Sequence, residues 1–179
     1  LENMSKHHRN RNWAPAPQPL PEDAHVIDNH THVASVVPFS QAMSHEAMEK
    51  GQGEVPVYSV DELLEQAQKV GVEGVIDCGC ELPNLMTAID MAREHPGTVH
   101  AAIAIHPNEA VLHGHRGAPG PDGLPIKYKP WHDIPFDEAM AEVHRLATTY
   151  PNQVVAIGET GMDLFRTGEG AKELQREAF

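Results

Sequence analysis

Short apolar segments alternate with amphipathic segments along most of the chain, and this alternation restricts the fold more than any other feature. The apolar segments are continuous, without a polar residue at every second position, which is typical of strands buried on both faces. Strands of this kind pair in parallel and are joined by helices. The pattern therefore predicts an α/β fold with a parallel sheet, whose four strands cover residues 25–28, 72–79, 99–106 and 153–159.

Capping and stop signals mark the helices between these strands. Ser59 and Glu62 have the spacing of a capping box, in which each side chain accepts a hydrogen bond from the other residue's backbone N–H. Gly71 can end the helix that follows, because glycine readily adopts the left-handed conformation common after a helix. Further helices are predicted over residues 82–97, 135–150 and 171–179.

Two connections are longer than the roughly two to six residues usual between a strand and the next helix. They cover residues 34–58 and 107–134, and the second is rich in glycine and proline. Both leave the carboxyl side of the predicted sheet, where a substrate would bind. We therefore expect lids or specificity loops at both places.

The chain of 179 residues is shorter than the roughly 250 residues of a complete eight-stranded (β/α) barrel. Four strand–helix units are visible, and the last helix has no signal that would end it. We interpret residues 24–179 as the N-terminal half of a TIM-type (β/α)8 barrel, apparently truncated. Residues 1–23 contain four of the fifteen prolines and few core-forming residues, so a disordered tail is predicted there.

The formal net charge of −13 at pH 7 limits the possible partners. An acidic surface repels nucleic acid, although an enzyme that binds phosphate through metal cations is not excluded. The two cysteines, Cys78 and Cys80, are too close in sequence for a useful disulfide, which favours a reducing, cytoplasmic location. No segment approaches the roughly 18 apolar residues of a membrane span, so no membrane partner is expected.

The first candidate metal ligands are two histidines directly after the first strand. His30 and His32 are one residue apart, so on an extended backbone their side chains point to the same side and can reach one cation. Among thirteen histidines about one such pair is expected by chance, and His113 and His115 form a second pair in the Gly/Pro-rich connection. The position after a buried strand favours His30 and His32 as the metal-binding pair.

Glu159 and His106 follow the predicted fourth and third strands. A carboxylate such as that of Glu159 is a hard oxygen ligand that can bridge two cations, although a Gly-rich turn with solvated acids is the alternative. A single histidine such as His106 is commonly a structural residue. Cys78 and Cys80 end the second strand and are interpreted as small buried residues, with a metal-binding C-x-C role left open.

Because the carboxyl ends of barrel strands meet at one mouth, we expect these histidines and Glu159 to lie close together. The order of sequence blocks is more specific. D-x-H-x-H, a Gly-Val-Ile strand, I-H-P-N-E-A, A-I-G-E-T-G-M-D and L-Q-R-E-A-F resemble the TatD family of metal-dependent deoxyribonucleases over residues 24–179.

The resemblance implies an amidohydrolase-type barrel with two divalent cations (Mg, Mn or Zn) that hydrolyses phosphodiester bonds of DNA or oligonucleotides. His30 and His32 would hold one metal, and Glu159 would bridge both as a catalytic residue. His106 would lie beside the metals as a catalytic or phosphate-binding residue. Asp163 and Arg166 would form a structural or substrate-binding pair.

The sequence departs from the family pattern in three places. It ends before the later strands, where the family supplies two further histidines and an aspartate, and its connections after the first and third strands are longer. Met-Asp-Leu-Phe also stands where an aromatic residue commonly follows the aspartate. Two alternatives therefore stay open: another metal-dependent hydrolase acting on a phosphotriester, lactone or amide, or a non-catalytic metal-binding fragment. We expect the 179-residue chain alone to be inactive or nearly so.

Overall fold

A computed structural model describes residues 19–52, 56–117 and 126–179, apart from the side chain of Glu169. Most of the predicted tail at 1–23 lies outside these ranges. In the part of this segment that is described, the Leu20 N–H donates to the Val70 carbonyl at 2.8 Å. None of the described helices has the length and apolar character needed to cross a membrane.

Four parallel strands form one sheet in the order in which they occur along the chain. They are β1 (Val26–Thr31), β2 (Val72–Gly79), β3 (Val99–Ile103) and β4 (Val154–Ile157). Each strand is hydrogen-bonded in parallel to the next. The predicted α/β fold with a parallel sheet is therefore confirmed.

Six α-helices connect or follow these strands in the described ranges. They are α1 (Val33–Glu49), α2 (Val60–Lys69), α3 (Leu82–Glu94), α4 (Pro107–Ala110), α5 (Phe136–Thr149) and α6 (Lys172–Ala178). The predicted capping box is present, since the Glu62 N–H donates to Ser59 Oγ and the Ser59 N–H donates to Glu62 Oε2. This pair supplies acceptors to backbone donors that have no partner inside α2.

The core lies between one face of the sheet and the helices. Leu85 and Ile89 of α3, Ile103 of β3 and Leu146 of α5 are each at most 2% exposed. Burying an aliphatic side chain of this size contributes about 1.5–3 kcal/mol relative to leaving it in water. This packing holds the strands side by side, so that the segments leaving their carboxyl ends gather at one edge.

The connection predicted at 34–58 is not a loop over most of its length, because α1 occupies residues 33–49. Pro38 lies inside this helix, and proline lacks the N–H that a helix interior requires. The N-cap residue of α1 is His32, and its side chain accepts no hydrogen bond from the backbone at the start of the helix. The acceptor comes instead from β2, where the buried Asp77 carboxylate lies 3.4 Å from the Ala34 N–H nitrogen.

The connection predicted at 107–134 contains α4 and two short 3-10 turns, at His113–His115 and Pro130–Asp133. Residues 118–125 of that connection lie outside the described ranges, and the lid role of both connections stays a prediction.

The strands also end elsewhere than predicted. β1 extends to Thr31, so His30 lies on the strand, whereas β3 and β4 end two or more residues before His106 and Glu159.

Replacement of Asp77 tests how its carboxylate stabilises the start of α1. Burial raises the pKa of Asp77 above its ordinary value of 3.8, although the backbone N–H groups of Ala34 and Val33 oppose the rise. A raised pKa in the folded state means that the free energy of unfolding falls as pH rises above the pKa of the unfolded state, because the buried carboxyl group then has to lose its proton. Asp77→Asn keeps an acceptor without the charge, so its stability relative to wild type should increase with pH.

Urea unfolding followed by circular dichroism, at acidic and neutral pH, measures this difference. Asp77→Leu is the matched variant without an acceptor, and it should lower the free energy of unfolding by about 1 kcal/mol, as loss of an N-cap does. Wild type gaining stability over Asp77→Asn as pH rises would contradict the assignment.

Candidate metal centre

Three of the predicted metal ligands meet at the carboxyl edge of the sheet. The candidate ligand atoms of His30, His32 and Glu159 all lie within 4.8 Å of one another. Glu159 Oε2 is 3.5 Å from His30 Nε2 and 3.9 Å from His32 Nε2. A cation bonds to such atoms at about 2.0–2.2 Å, so it can lie between them without large movement. The donor set therefore fits a divalent metal ion.

The orientation of His32 leaves its Nε2 able to bind a metal. Its Nδ1 lies 3.3 Å from the Cys78 carbonyl oxygen on β2. A carbonyl can only accept, so Nδ1 carries the proton and the neutral ring has its lone pair on Nε2. Nε2 is the atom that faces Glu159. A hydrogen bond from the other ring nitrogen is the usual way in which proteins orient a metal-binding histidine.

His106 has the opposite proton arrangement. It is the N-cap of α4, and its Nδ1 accepts the Asn108 backbone N–H at 3.0 Å. The neutral ring therefore carries its proton on Nε2, which lies 3.5 Å from Glu159 Oε1. In this form His106 offers a hydrogen-bond donor to the site and no lone pair at Nε2. His106 thus lies beside the three candidate ligands, and its catalytic or phosphate-binding role stays a prediction.

Cys80 contacts Glu159, and nothing in the sequence pattern indicated this contact. Its Sγ–H donates to Glu159 Oε2 at 3.4 Å. Burial raises the pKa of this thiol to about 12, and the nearby Glu159 charge adds to the rise, so the thiol stays protonated at neutral pH. Within the described ranges, the group of residues with metal-ligand spacing contains neither cysteine.

A cavity of about 440 Å³ opens beside this cluster and is lined by His32, Cys80, Glu81, His106, Asn108, Glu109 and Glu159. Burial, and then the neighbouring Glu109 charge, raises the pKa of Glu81. Three acids on one cavity wall repel an anionic substrate unless cations are bound there. The electrostatics of the cavity therefore also favour divalent cations.

Glu109 fixes the end of the long connection to the cavity wall. Its Oε2 accepts the Trp131 Nε1–H at 3.0 Å and lies 2.8 Å from His132 Nε2. His132 is 1% exposed, and its Nδ1 accepts the Lys129 backbone N–H, so its Nε2 carries the proton donated to Glu109. Sequence analysis missed this network, because nothing in the spacing of Glu109 and His132 indicates that they meet.

The second histidine pair makes separate structural contacts. His113 is fully buried, and its Nδ1–H donates to the Ile134 carbonyl at 3.0 Å. Burial lowers the pKa of His113, which favours the neutral ring. His115 lies apart from it, with its Nε2 2.6 Å from Asp133 Oδ1. The two rings therefore do not share one ligand position.

Asp163 lies near the site but its carboxylate is already hydrogen-bonded. Oδ1 accepts the Phe165 backbone N–H at 2.8 Å, and Oδ2 accepts the Asn108 Nδ2–H at 2.9 Å. The first of these bonds is the main cause of a lowered Asp163 pKa. The Arg166 guanidinium lies 5.7 Å from the centre of the Phe165 ring. Substrate contact by Asp163 and Arg166 stays a prediction.

Comparison with known proteins adds independent information. The sequence model of the TatD related DNase family matches residues 27–179. A Mycobacterium tuberculosis protein described as a metal-dependent hydrolase, TatD, is 33% identical over 125 residues, which cover 68% of this chain and 38% of that protein. The chain thus spans less than half of this relative.

A solved structure shows the same fold. The crystal structure of a hydrolase TatD family protein from Entamoeba histolytica superposes with a TM-score of 0.52 and 19% sequence identity. The match covers 86% of this chain and 43% of the other. The four-stranded sheet therefore corresponds to part of a larger TIM-type barrel, as predicted.

Removal of a candidate ligand should weaken metal binding. Loss of groups that merely orient a ligand typically lowers metal affinity about 10–100-fold, so His32→Ala and Glu159→Ala should each lower the affinity for Mn²⁺ about tenfold or more. Isothermal titration calorimetry measures this. His25→Ala is the matched control, because His25 is an exposed histidine just before β1 and its ring pairs with Glu73 of β2. Equal affinity in all three variants would contradict the assignment.

Proposed function

Because the chain belongs to the TatD related DNase family, we propose that its protein is a metal-dependent hydrolase that cleaves phosphodiester bonds of DNA. The convergence of His30, His32 and Glu159, with the His32 lone pair directed at the shared position, carries this proposal. The chain covers 38% of the curated relative, so the proposal concerns the whole protein. Further ligands would come from later strands, as the family resemblance implies.

Two divalent cations, Mg²⁺, Mn²⁺ or Zn²⁺, would be held at this edge of the sheet. His30 and His32 would hold the first, and Glu159 would contact both. When bound, such cations make water a nucleophile at neutral pH and offset phosphate charge. The two oxygens of Glu159 support a bridging role, since Oε2 faces His30 and His32 while Oε1 lies on the side of His106.

The residues beside the cluster have distinct roles in this proposal. The His106 Nε2–H would donate to a non-bridging phosphate oxygen, whose negative charge grows as the nucleophile attacks. The Cys80 thiol would donate to Glu159 Oε2 and limit the rotation of its carboxylate. Cys78 would keep His32 in its ligand orientation through the carbonyl on β2.

The acidic character of the chain restricts how DNA would bind. A net charge of −13 does not favour a long duplex that would rest on many phosphate contacts. A cavity of about 440 Å³ suits one phosphate with its neighbouring nucleoside. We therefore propose single-stranded or terminal DNA as the substrate.

The test uses the protein encoded by the complete natural reading frame around these residues. With Mg²⁺ or Mn²⁺ it should degrade a single-stranded DNA oligonucleotide, as followed by gel electrophoresis. Glu159→Gln keeps the size of the side chain but removes its charge, and it should lower kcat about a hundredfold or more. His25→Ala should retain the wild-type rate.

A substrate panel separates this proposal from other hydrolases on the same fold. Cleavage of a neutral ester, lactone or phosphotriester without cleavage of oligonucleotides would refute the deoxyribonuclease proposal and favour the alternative activity. Undiminished DNA cleavage by Glu159→Gln would refute the bridging role.

A further inference from the structure

A continuous hydrogen-bonded path joins α6 to the candidate site, and it begins at Gln175. This side chain is fully buried. Its Oε1 accepts the Asp163 backbone N–H at 3.0 Å, and its Nε2–H donates to the Asp163 carbonyl at 2.7 Å and to Thr167 Oγ1 at 2.8 Å. The amide of Gln175 thus pairs with both backbone groups of Asp163 and fixes that residue in place.

From Asp163 the path continues to the ring of His106. Asp163 Oδ2 accepts the Asn108 Nδ2–H at 2.9 Å, and the backbone N–H of the same Asn108 donates to His106 Nδ1 at 3.0 Å. Asn108 is the second residue of α4, which is only four residues long. A helix of one turn holds its own backbone weakly, so an external anchor is needed to keep this N–H directed at the ring.

We propose that Asp163 is a positioning residue for His106, and that it acts through Asn108 to hold the His106 proton on Nε2, facing Glu159. Without this anchor the Asn108 N–H would no longer keep Nδ1 as an acceptor. The ring would then exchange between orientations and between its two neutral forms. In one of these forms the Nε2 lone pair would face the Glu159 carboxylate and no donor would be offered to a phosphate.

The role assigned to Asp163 is narrower than direct substrate contact, because both of its oxygens already accept hydrogen bonds within the protein. The same path joins the A-I-G-E-T-G-M-D and L-Q-R-E-A-F blocks, since Gln175 of the second block pairs with the backbone of Asp163 in the first. The consequence for catalysis rests on the proposed function, whereas the effect on the His106 ring does not.

Two variants of the same residue separate the hydrogen bond from a general effect on folding. Asp163→Ala removes the acceptor for Asn108. Asp163→Asn keeps a partner, because the Asn108 amide can turn over and accept from the new side chain through its Oδ1. That oxygen is buried and has no hydrogen-bond partner within the described ranges. Thr160→Val is the matched control, because it removes a different hydrogen bond of the same segment, to the Ala178 carbonyl at 3.0 Å.

The measurement is the pair of ring ¹⁵N resonances of His106 in the 179-residue chain, at a pH where the ring is neutral. Wild type, Asp163→Asn and Thr160→Val should show two well-separated resonances with the proton on Nε2. Asp163→Ala should show the two resonances converging as the ring exchanges, with a melting curve that shows the chain still folded. This measurement does not depend on DNA cleavage, so it still tests the positioning role of Asp163 if the proposed function fails.

Two outcomes would overturn the proposal. One is a folded Asp163→Ala chain in which the His106 resonances match those of wild type. The other is a folded Asp163→Asn chain that behaves like Asp163→Ala, since the effect would then not depend on a hydrogen bond to Asn108. In the whole protein, the proposal expects Asp163→Ala to lower kcat with little change in KM, and Asp163→Asn to recover most of the loss.

Discussion

The parallel pairing of β1 with β2 is the constraint on which the rest of the site depends. It places Thr31 opposite Asp77, so two consecutive residues of β2 act on the segment that leaves β1. The Asp77 carboxylate accepts from the start of α1, and the Cys78 carbonyl accepts from the ring of His32. Backbone direction and ring orientation at His32 are therefore both set by the neighbouring strand. A histidine held in this way needs little rearrangement to bind a cation.

Glu159, opposite these histidines, is contacted directly by Cys80 and His106, and His106 is in turn held from a third segment. The Cys80 thiol follows β2, the His106 ring caps α4, and the path from Gln175 through Asp163 and Asn108 reaches His106 from α6. Glu81 and Glu109 add negative charge to the same cavity. A polar, acidic wall of this kind is stable only with water or cations beside it, and an anionic substrate needs the cations. The electrostatics of the cavity and the geometry of the ligands thus point to the same chemistry.

Much of this arrangement could be predicted from the sequence, because it depends on local patterns. β2 covers the predicted residues 72–79, the capping box of α2 lies where Ser59 and Glu62 indicate, and the ends of parallel strands bring His30, His32 and Glu159 together. The helix α1 was missed because its start is supported by Asp77, which lies 43 positions from Ala34, and because it contains Pro38, a residue that a helix interior normally excludes. The pairing of Glu109 with His132 was missed for the same reason: it joins two parts of a long connection that no periodicity relates. Contacts of this kind depend on tertiary packing, which a one-dimensional pattern does not encode.

We infer that two imidazoles at the end of β1 and an acid that follows β4 share a cation. Crystals of the chain grown with Mn²⁺ and measured at the manganese absorption edge locate any bound ion by its anomalous scattering. We predict an anomalous peak bonded to His30 Nε2, His32 Nε2 and a Glu159 oxygen. Ions found only at exposed acids elsewhere, with Glu159 turned away from both histidines, would contradict it.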